Sequence, residues 1–392
     1  MYIHDYNQKM PSTCEFQLNN PNAVYNSGDI ISGAIVLNTN SPKVIRDIRI
    51  IFRGEGKVSW TETERRRKSD GTYTNHTVKY KANELYIDNS TTVLGEGTLP
   101  AGTHTYTFQI LVPLRCPTSC EARYGHIRYE LMLKLNRPFR FDNEFSKPLT
   151  VLKLLDLNLN PAFRIPIESE DVFSSCCWSC SNGTVNTTLT IPFGGYAIGQ
   201  SIKYSLYIQN QSMNDIEGYT IEFNRKIIFT ARTPRHKVRE EKTTLHNKSY
   251  GVRCLRLTTR IFDGNFLIVS TPPTTEGEGI ISVRYSLKVI ISSSDNSISV
   301  PIVIGTVPLR ESMETAVPSQ NDRLVTVAPT APELRLVDQS GSDLPPSYQE
   351  LGPPSFEEAT RSSSPFIDTD RNEHNRHIGF RPLYPSYSQS DT

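Results

Sequence analysis

The segment whose residue types and spacing carry the most chemistry is Asp343-Leu344-Pro345-Pro346-Ser347-Tyr348-Gln349-Glu350. Consecutive prolines hold φ at about −65° and pre-set a polyproline II helix, whose three residues per turn put Pro345 and Tyr348 on one face. A WW domain reads such a face with two aromatic-lined grooves, one for proline and one for the tyrosine ring. The plain alternative is a proline-rich linker with an incidental tyrosine. A near-copy follows at Pro353-Pro354-Ser355-Phe356. Phe356 keeps the ring and lacks the hydroxyl. One hydrogen bond is worth about 0.5–1.5 kcal/mol, so this second motif should dock about 2- to 10-fold more weakly.

Other reactive residue types are present without the company that chemistry needs. Cys176-Cys177-Trp178-Ser179-Cys180 has no second Cys-x-x-Cys or His pair to complete a zinc site, and no βαβ context for a redox motif. Two readings of it remain: small buried cysteines at a domain entry, or palmitoylation beside Trp178. Arg65-Arg66-Arg67-Lys68, followed by Ser69-Asp70-Gly71, reads as a charged hairpin tip, either simply solvated or in contact with phospholipid headgroups or phosphorylated cargo. There is no Gly-rich phosphate loop, no Gly-x-Ser-x-Gly and no His-Glu-x-x-His, and the eight histidines are scattered. No catalytic, cofactor or metal site is expected, so the chain reads as a non-enzyme. Nor does any basic strand carry the interleaved aromatics of a nucleic-acid binder.

The tail that holds the proline motifs differs from the rest of the chain. Residues 311–392 contain ten of the 26 prolines. They have six Arg and no Lys against seven Glu and six Asp, a net charge of −7 that leaves 36 basic and 28 acidic residues, or +8, in the first 310. Such a composition cannot offset the entropy of ordering, and a disordered tail is expected. The basic body with its acidic tail suits either plain solubility or peripheral contact with an anionic membrane. The segment Met1–Glu15 lacks an apolar targeting core and no run of 18 apolar residues occurs, so a cytoplasmic location is expected. Seven cysteines, an odd and clustered set, fit reduced thiols better than a disulfide framework.

Period-two alternation dominates what lies before the tail. Ile127, Tyr129, Leu131, Leu133 and Leu135 alternate with Arg128, Glu130 and Lys134, so one strand face should be buried and the other wet. The pattern recurs at Tyr106-Phe108-Ile110, Ile202-Tyr204-Leu206-Ile208 and Val283-Tyr285-Leu287-Val289-Ile291, with no comparable helical periodicity. An all-β chain of antiparallel sandwiches follows. Two ordered echoes indicate tandem domains: Tyr25-Asn26-Ser27-Gly28-Asp29 with Tyr196-Ala197-Ile198-Gly199-Gln200, and Arg128-Tyr129-Glu130-Leu131 with Arg284-Tyr285-Ser286-Leu287. The expected organisation is a β-sandwich over 1–156, a linker or connecting strand over 157–174, a second β-sandwich over 175–310 and the tail over 311–392.

These residues together resemble the alpha-arrestin (arrestin domain-containing protein) family. The resemblance rests on Val24-Tyr25-Asn26-Ser27-Gly28-Asp29, on Pro117-Thr118-Ser119-Cys120-Glu121 with Tyr124-Gly125-His126-Ile127-Arg128-Tyr129, and on Arg137-Pro138-Phe139. It continues through Cys176–Cys180, Pro301-Ile302-Val303-Ile304-Gly305-Thr306-Val307-Pro308-Leu309 and Phe380-Arg381-Pro382-Leu383-Tyr384-Pro385. It implies two tandem arrestin-like, immunoglobulin-like sandwiches that engage membrane receptors or transporters. It also implies a tail that recruits WW-domain HECT-type ubiquitin ligases, with the cytoplasmic protein drawn to plasma membrane and endosomes. Pro345, Pro346 and Tyr348 match the family's tail motif; Phe356 departs from it. One family member binds thioredoxin through a second-domain cysteine, but the residues around Cys254 do not match. Two other functions stand beside the adaptor: a redox-linked regulator pairing thioredoxin with Cys254 or the Cys176–Cys180 cluster, and a trafficking scaffold without a ligase.

Overall fold

Each alternating segment has one apolar face, and pairing such faces is how the chain removes them from water. A fully buried Leu, Ile or Phe contributes about 1.5–3 kcal/mol. The structure, a computed structural model, describes residues 12–69, 71–177, 180–275, 279–292, 296–310, 366–367 and 380–386. In the first half run β1 (Thr13–Leu18), β2 (Val24–Asn26), β3 (Ile30–Thr39), β4 (Lys43–Ile45), β5 (Asp47–Arg67), β6 (Tyr73–Leu94), β7 (Gly97–Leu99), β8 (Gly102–Leu111), β9 (Cys120–Ala122), β10 (Gly125–Asn136) and β11 (Asn143–Leu152). One sheet is ordered β1-β3-β8; the facing sheet is β2-β11-β10-β5-β6, with β9 beside β10.

The second half has β12 (Ile167–Cys177), β13 (Cys180–Ile191), β14 (Gly195–Ala197), β15 (Ser201–Asn210), β16 (Tyr219–Ala231), β17 (Lys237–Tyr250), β18 (Thr258–Leu267), β19 (Ile281–Ile291) and β20 (Ser297–Gly305). Its sheets, β12-β13-β15-β18 and β14-β20-β19-β16-β17, repeat the first half's strand order, with β12 as an added edge strand. The chain is therefore all-β, two tandem β-sandwiches, as the alternation and the echoes predict. A two-residue strand, β21 (Phe366–Ile367), lies antiparallel to β1, with Thr13 opposite Ile367. The stretch 157–174 holds two 3-10 turns, Leu157–Leu159 and Pro161–Arg164, and then enters the second sandwich as β12. Pro161 can open a helical turn because its missing N–H would have no partner there.

The first sequence echo is a structural device used twice. β2 pairs in parallel with β11, and β14 in parallel with β20. After each, Gly28 (φ 98°) and Gly199 (φ 87°) take a left-handed turn that glycine adopts without steric cost. The next side chain closes the turn: Asp29 Oδ2 accepts the Asn26 amide at 2.6 Å, and Gln200 Oε1 accepts the Ala197 amide at 2.8 Å. The second echo places Tyr129 and Tyr285 inside their sandwiches, each donating its hydroxyl to a proline carbonyl, Pro117 at 2.7 Å and Pro272 respectively. The Tyr129 ring needs Gly54 opposite it on β5, where a Cβ would sit 2.4 Å from Tyr129 Cδ1.

The apolar set of β10, from Ile127 to Leu135, is buried throughout. The opposite face is less wet than alternation suggests, because Glu130 and Met132 are buried too. β10 is an interior strand flanked by β5 and β11, so neighbouring side chains cover part of its outer face.

Candidate interaction site

Pro345, Pro346 and Tyr348, and likewise Pro353, Pro354 and Phe356, lie outside the described residues. What the fold does position is a seam between the sandwiches. The β5–β6 and β16–β17 hairpins carry their charged faces toward each other there. Glu62 and Glu64 share a face of β5, spaced two apart, and meet Lys237 at the start of β17 and Arg235 just before it; Glu84 of β6 meets Arg232. The hydrogen bond from Lys237, together with one from Trp60 Nε1 (2.8 Å), holds the Glu62 carboxyl below its ordinary range. Glu64 is lowered as well, first by the Tyr80 hydroxyl and then by Arg235. Exposed pairs of this kind contribute little to stability individually and mainly fix register.

Directional contacts tie the halves more firmly. The Lys81 amide donates to the Thr233 carbonyl at 2.9 Å, and the Arg232 amide donates back to Lys81 at 3.1 Å. The Tyr124 ring meets Phe229 edge-on at 5.6 Å, lies under the Arg239 guanidinium at 4.0 Å and accepts Arg239 Nη2 at its hydroxyl at 3.0 Å. At the other end of the seam, Leu155 N donates to Thr306 Oγ1 at 2.7 Å and Asn158 Nδ2 to the Pro308 carbonyl at 2.9 Å. A small crevice of about 130 Å³ sits between the halves, lined in part by Tyr86, Pro117, Thr118, Leu155, Thr274 and Ile281.

Arg65, Arg66 and Arg67 do end a hairpin strand, and the Lys68 amide donates to the Thr72 carbonyl at 2.7 Å to close the turn. Arg65 stacks on the Tyr73 ring at 4.2 Å. Phe139, fully exposed at φ 55°, and Phe141 crown the β10–β11 turn, which lies beside Asp47 at the opposite end of β5.

The described thiols are interior. Cys14, Cys116, Cys120 and Cys254 are free and buried. Burial pushes the Cys120 thiol up to about 12 and raises Cys14 and Cys116, the opposite of what an attacking thiolate needs. Cys254 lies in a backbone bridge to Ile216 and is 0% exposed. The backbone of Cys177 pairs with Cys180 at the end of the β12–β13 hairpin, while the cluster's side chains lie outside the described ones. Among the described residues, no three metal-binding side chains converge and no helix is long and apolar enough to cross a membrane.

Paired sandwiches of similar topology joined through such a seam have a counterpart in known sequences. Residues 14–158 match the family described as Arrestin (or S-antigen), N-terminal domain, and residues 181–309 match its C-terminal domain. The chain belongs to the alpha-arrestin family. It is 27% identical over 303 residues to Arrestin domain-containing protein 17 of Caenorhabditis elegans, covering 75% of this chain and 70% of that one. It is 25% identical over 323 residues to Arrestin domain-containing protein 1 of Rattus norvegicus, covering 81% and 70%.

Sequence reasoning about this alpha-arrestin missed the seam. A faint signal was available, since Glu62 with Glu64 and Lys237 with Arg239 are same-face charges at strand spacing. Nothing in the sequence says that those two faces meet. It also gave Tyr384 no role, although that residue reaches the sandwiches.

Proposed function

We propose that this alpha-arrestin is a cytoplasmic adaptor whose sandwiches hold a membrane receptor or transporter while Pro345-Pro346-Ser347-Tyr348 recruits a WW-domain HECT-type ubiquitin ligase. Cargo is then ubiquitinated and sorted into endocytosis, with the adaptor drawn to plasma membrane and endosomes. The single observation behind this reading is the joining, in one chain, of a paired arrestin body and a tail bearing that proline-tyrosine motif. A polyproline II ligand loses little entropy on docking, so a short peptide suffices for about micromolar affinity. Pro353-Pro354-Ser355-Phe356 is a weaker second station.

The redox-linked alternative has less support, because the described thiols are buried and three of them are held protonated. Isothermal titration of the full chain with a tandem WW protein tests the proposal. Tyr348→Ala should weaken binding about tenfold or more and Phe356→Ala only about two- to tenfold. Unchanged affinity for Tyr348→Ala, or loss of binding with Phe356→Ala alone, refutes it.

A further inference from the structure

The described tail residues 380–386 return to the seam, and their contacts there are specific. Tyr384 packs against the core, and its hydroxyl donates to the Ser119 carbonyl at 2.9 Å, at a residue with no exposed surface. One residue earlier, the Leu383 amide donates to Thr150 Oγ1 at 3.1 Å; Thr150 is in β11 and buried. Both of those partners belong to the first sandwich. From the second, Ser270 Oγ donates to the Tyr384 carbonyl at 3.4 Å. The ring is half-buried overall and its hydroxyl is the deep end. Burial raises that hydroxyl well above the ordinary phenol value, and Cys120 and Tyr285 are among its neighbours, one from each sandwich.

We propose that the crevice formed by Ser119, Thr150 and Ser270 between the sandwiches, separate from the small one described above, is a peptide-binding site whose ligand is this chain's own Arg381–Pro385 segment, and that its occupation fastens the two domains together and, with β21 on β1, closes the tail into a loop. The segment suits the role. Pro382 and Pro385 fix φ on either side of Leu383 and Tyr384, so little backbone freedom is lost on docking. Tyr384 supplies one large ring and one donor, and the Ser119 carbonyl is the acceptor waiting for it. Because the ligand touches both sandwiches, it is bound best when they keep their present arrangement.

The loop has a consequence for recruitment. Its near end is fixed where the Arg310 amide donates to Asn158 Oδ1 at 3.1 Å, and beyond the motif the chain returns first at β21 beside β1 and then at Leu383 and Tyr384 in the seam. Pro345 stands 35 residues after Arg310, and Tyr348 stands 18 before Phe366. A protein gripping that motif is tethered to the sandwiches from both sides. This consequence rests on the WW-recruiting function proposed above, whereas the docking itself does not.

Two measurements on the full chain test the docking, and neither involves a WW domain. In hydrogen exchange of the wild-type protein, the Leu383 amide is expected to be protected, and unprotected exchange across 380–386 overturns the proposal. In fluorescence anisotropy, a labelled peptide of residues 378–388 should bind the Tyr384→Ala chain. It should bind the wild-type chain about tenfold more weakly or worse, because a tethered ligand competes at about millimolar effective concentration. A melting curve of the Tyr384→Ala protein verifies its fold beforehand. Equal binding to both chains would leave the crevice open to ligands in trans and overturn docking in cis. No binding to a folded Tyr384→Ala chain overturns the site itself.

Discussion

The Tyr124–Arg239 contact is the place where coupling between the two sandwiches can be measured most cleanly. Tyr124 precedes β10 in the first sandwich and Arg239 lies on β17 in the second. The guanidinium stands 4.0 Å over the ring and donates to the hydroxyl at 3.0 Å. A cation over an aromatic ring contributes about 0.5–1 kcal/mol when partly exposed, and a hydrogen bond with a charged donor about 1.5–3 kcal/mol. The two overlap in one contact between half-exposed groups, so a coupling energy of about 1–2 kcal/mol is expected. Tyr124→Ala loses in addition the edge-on contact with Phe229, worth about 0.5–1.5 kcal/mol. A double-mutant cycle of Tyr124→Ala and Arg239→Ala, read by urea unfolding, isolates the pair. Each single variant should destabilise the protein, and the double variant should fall short of their sum by about 1–2 kcal/mol. Independent sites add to within about 0.3–0.5 kcal/mol, so additivity at that level would refute the claim that this contact joins the domains.

Three further outcomes are expected. Burial, with Arg128 and then Lys57 adding repulsion against partial relief from Glu121 and Glu55, lowers His126 from 6.5 to about 4. Between those values the unfolded chain binds the proton that the folded one refuses, so stability is lost as pH falls from about 6.5 toward about 4. His126→Gln should flatten that part of the stability–pH curve, and an identical slope contradicts the assignment. Gly54→Ala would bring a Cβ within 2.4 Å of the buried Tyr129 ring and 3.0 Å of Ile87 Cγ2. Such overpacking costs about 1–3 kcal/mol, and an unchanged melting temperature would contradict it. Residues 311–392 contain no lysine, and the last lysine is Lys288. On co-expression with a WW-domain ligase, mass spectrometry should therefore place ubiquitin on this protein at or before Lys288, and isopeptide-linked sites confined to cargo would contradict self-modification.

Much of the fold was legible because sheets repeat themselves locally. The five alternating apolar residues from Ile127 to Leu135 fall inside the first core, and those from Val283 to Ile291 inside the second. The Tyr25–Asp29 and Tyr196–Gln200 echoes mark equivalent turns, since a left-handed glycine followed by a side-chain acceptor is a local requirement. Period two could not announce the buried outer face at Glu130, which depends on what the neighbouring strands bring over it. The seam was illegible for the same reason in stronger form: Glu62 and Lys237 stand 175 residues apart in the chain and are joined only by tertiary geometry. Tyr384 was hidden by composition. A Pro- and Ser-rich stretch has no core of its own, yet a few of its residues are ordered by a crevice already built from Ser119, Thr150 and Ser270. The proline-tyrosine motif is the reverse case, a proposed site read from the sequence alone.

The adaptor account stands or falls on whether Tyr348 links ligase to cargo through this chain. Proximity labelling in cells, with a labelling enzyme fused to the wild-type or the Tyr348→Ala protein, tests that link directly. The account predicts that HECT-type ligases disappear from the labelled set of the Tyr348→Ala protein while membrane receptors or transporters remain, and that ubiquitin on those cargoes declines. Ligases still labelled at wild-type levels, with cargo ubiquitination unchanged, would contradict it and leave the tail as a spacer on a ligase-free scaffold.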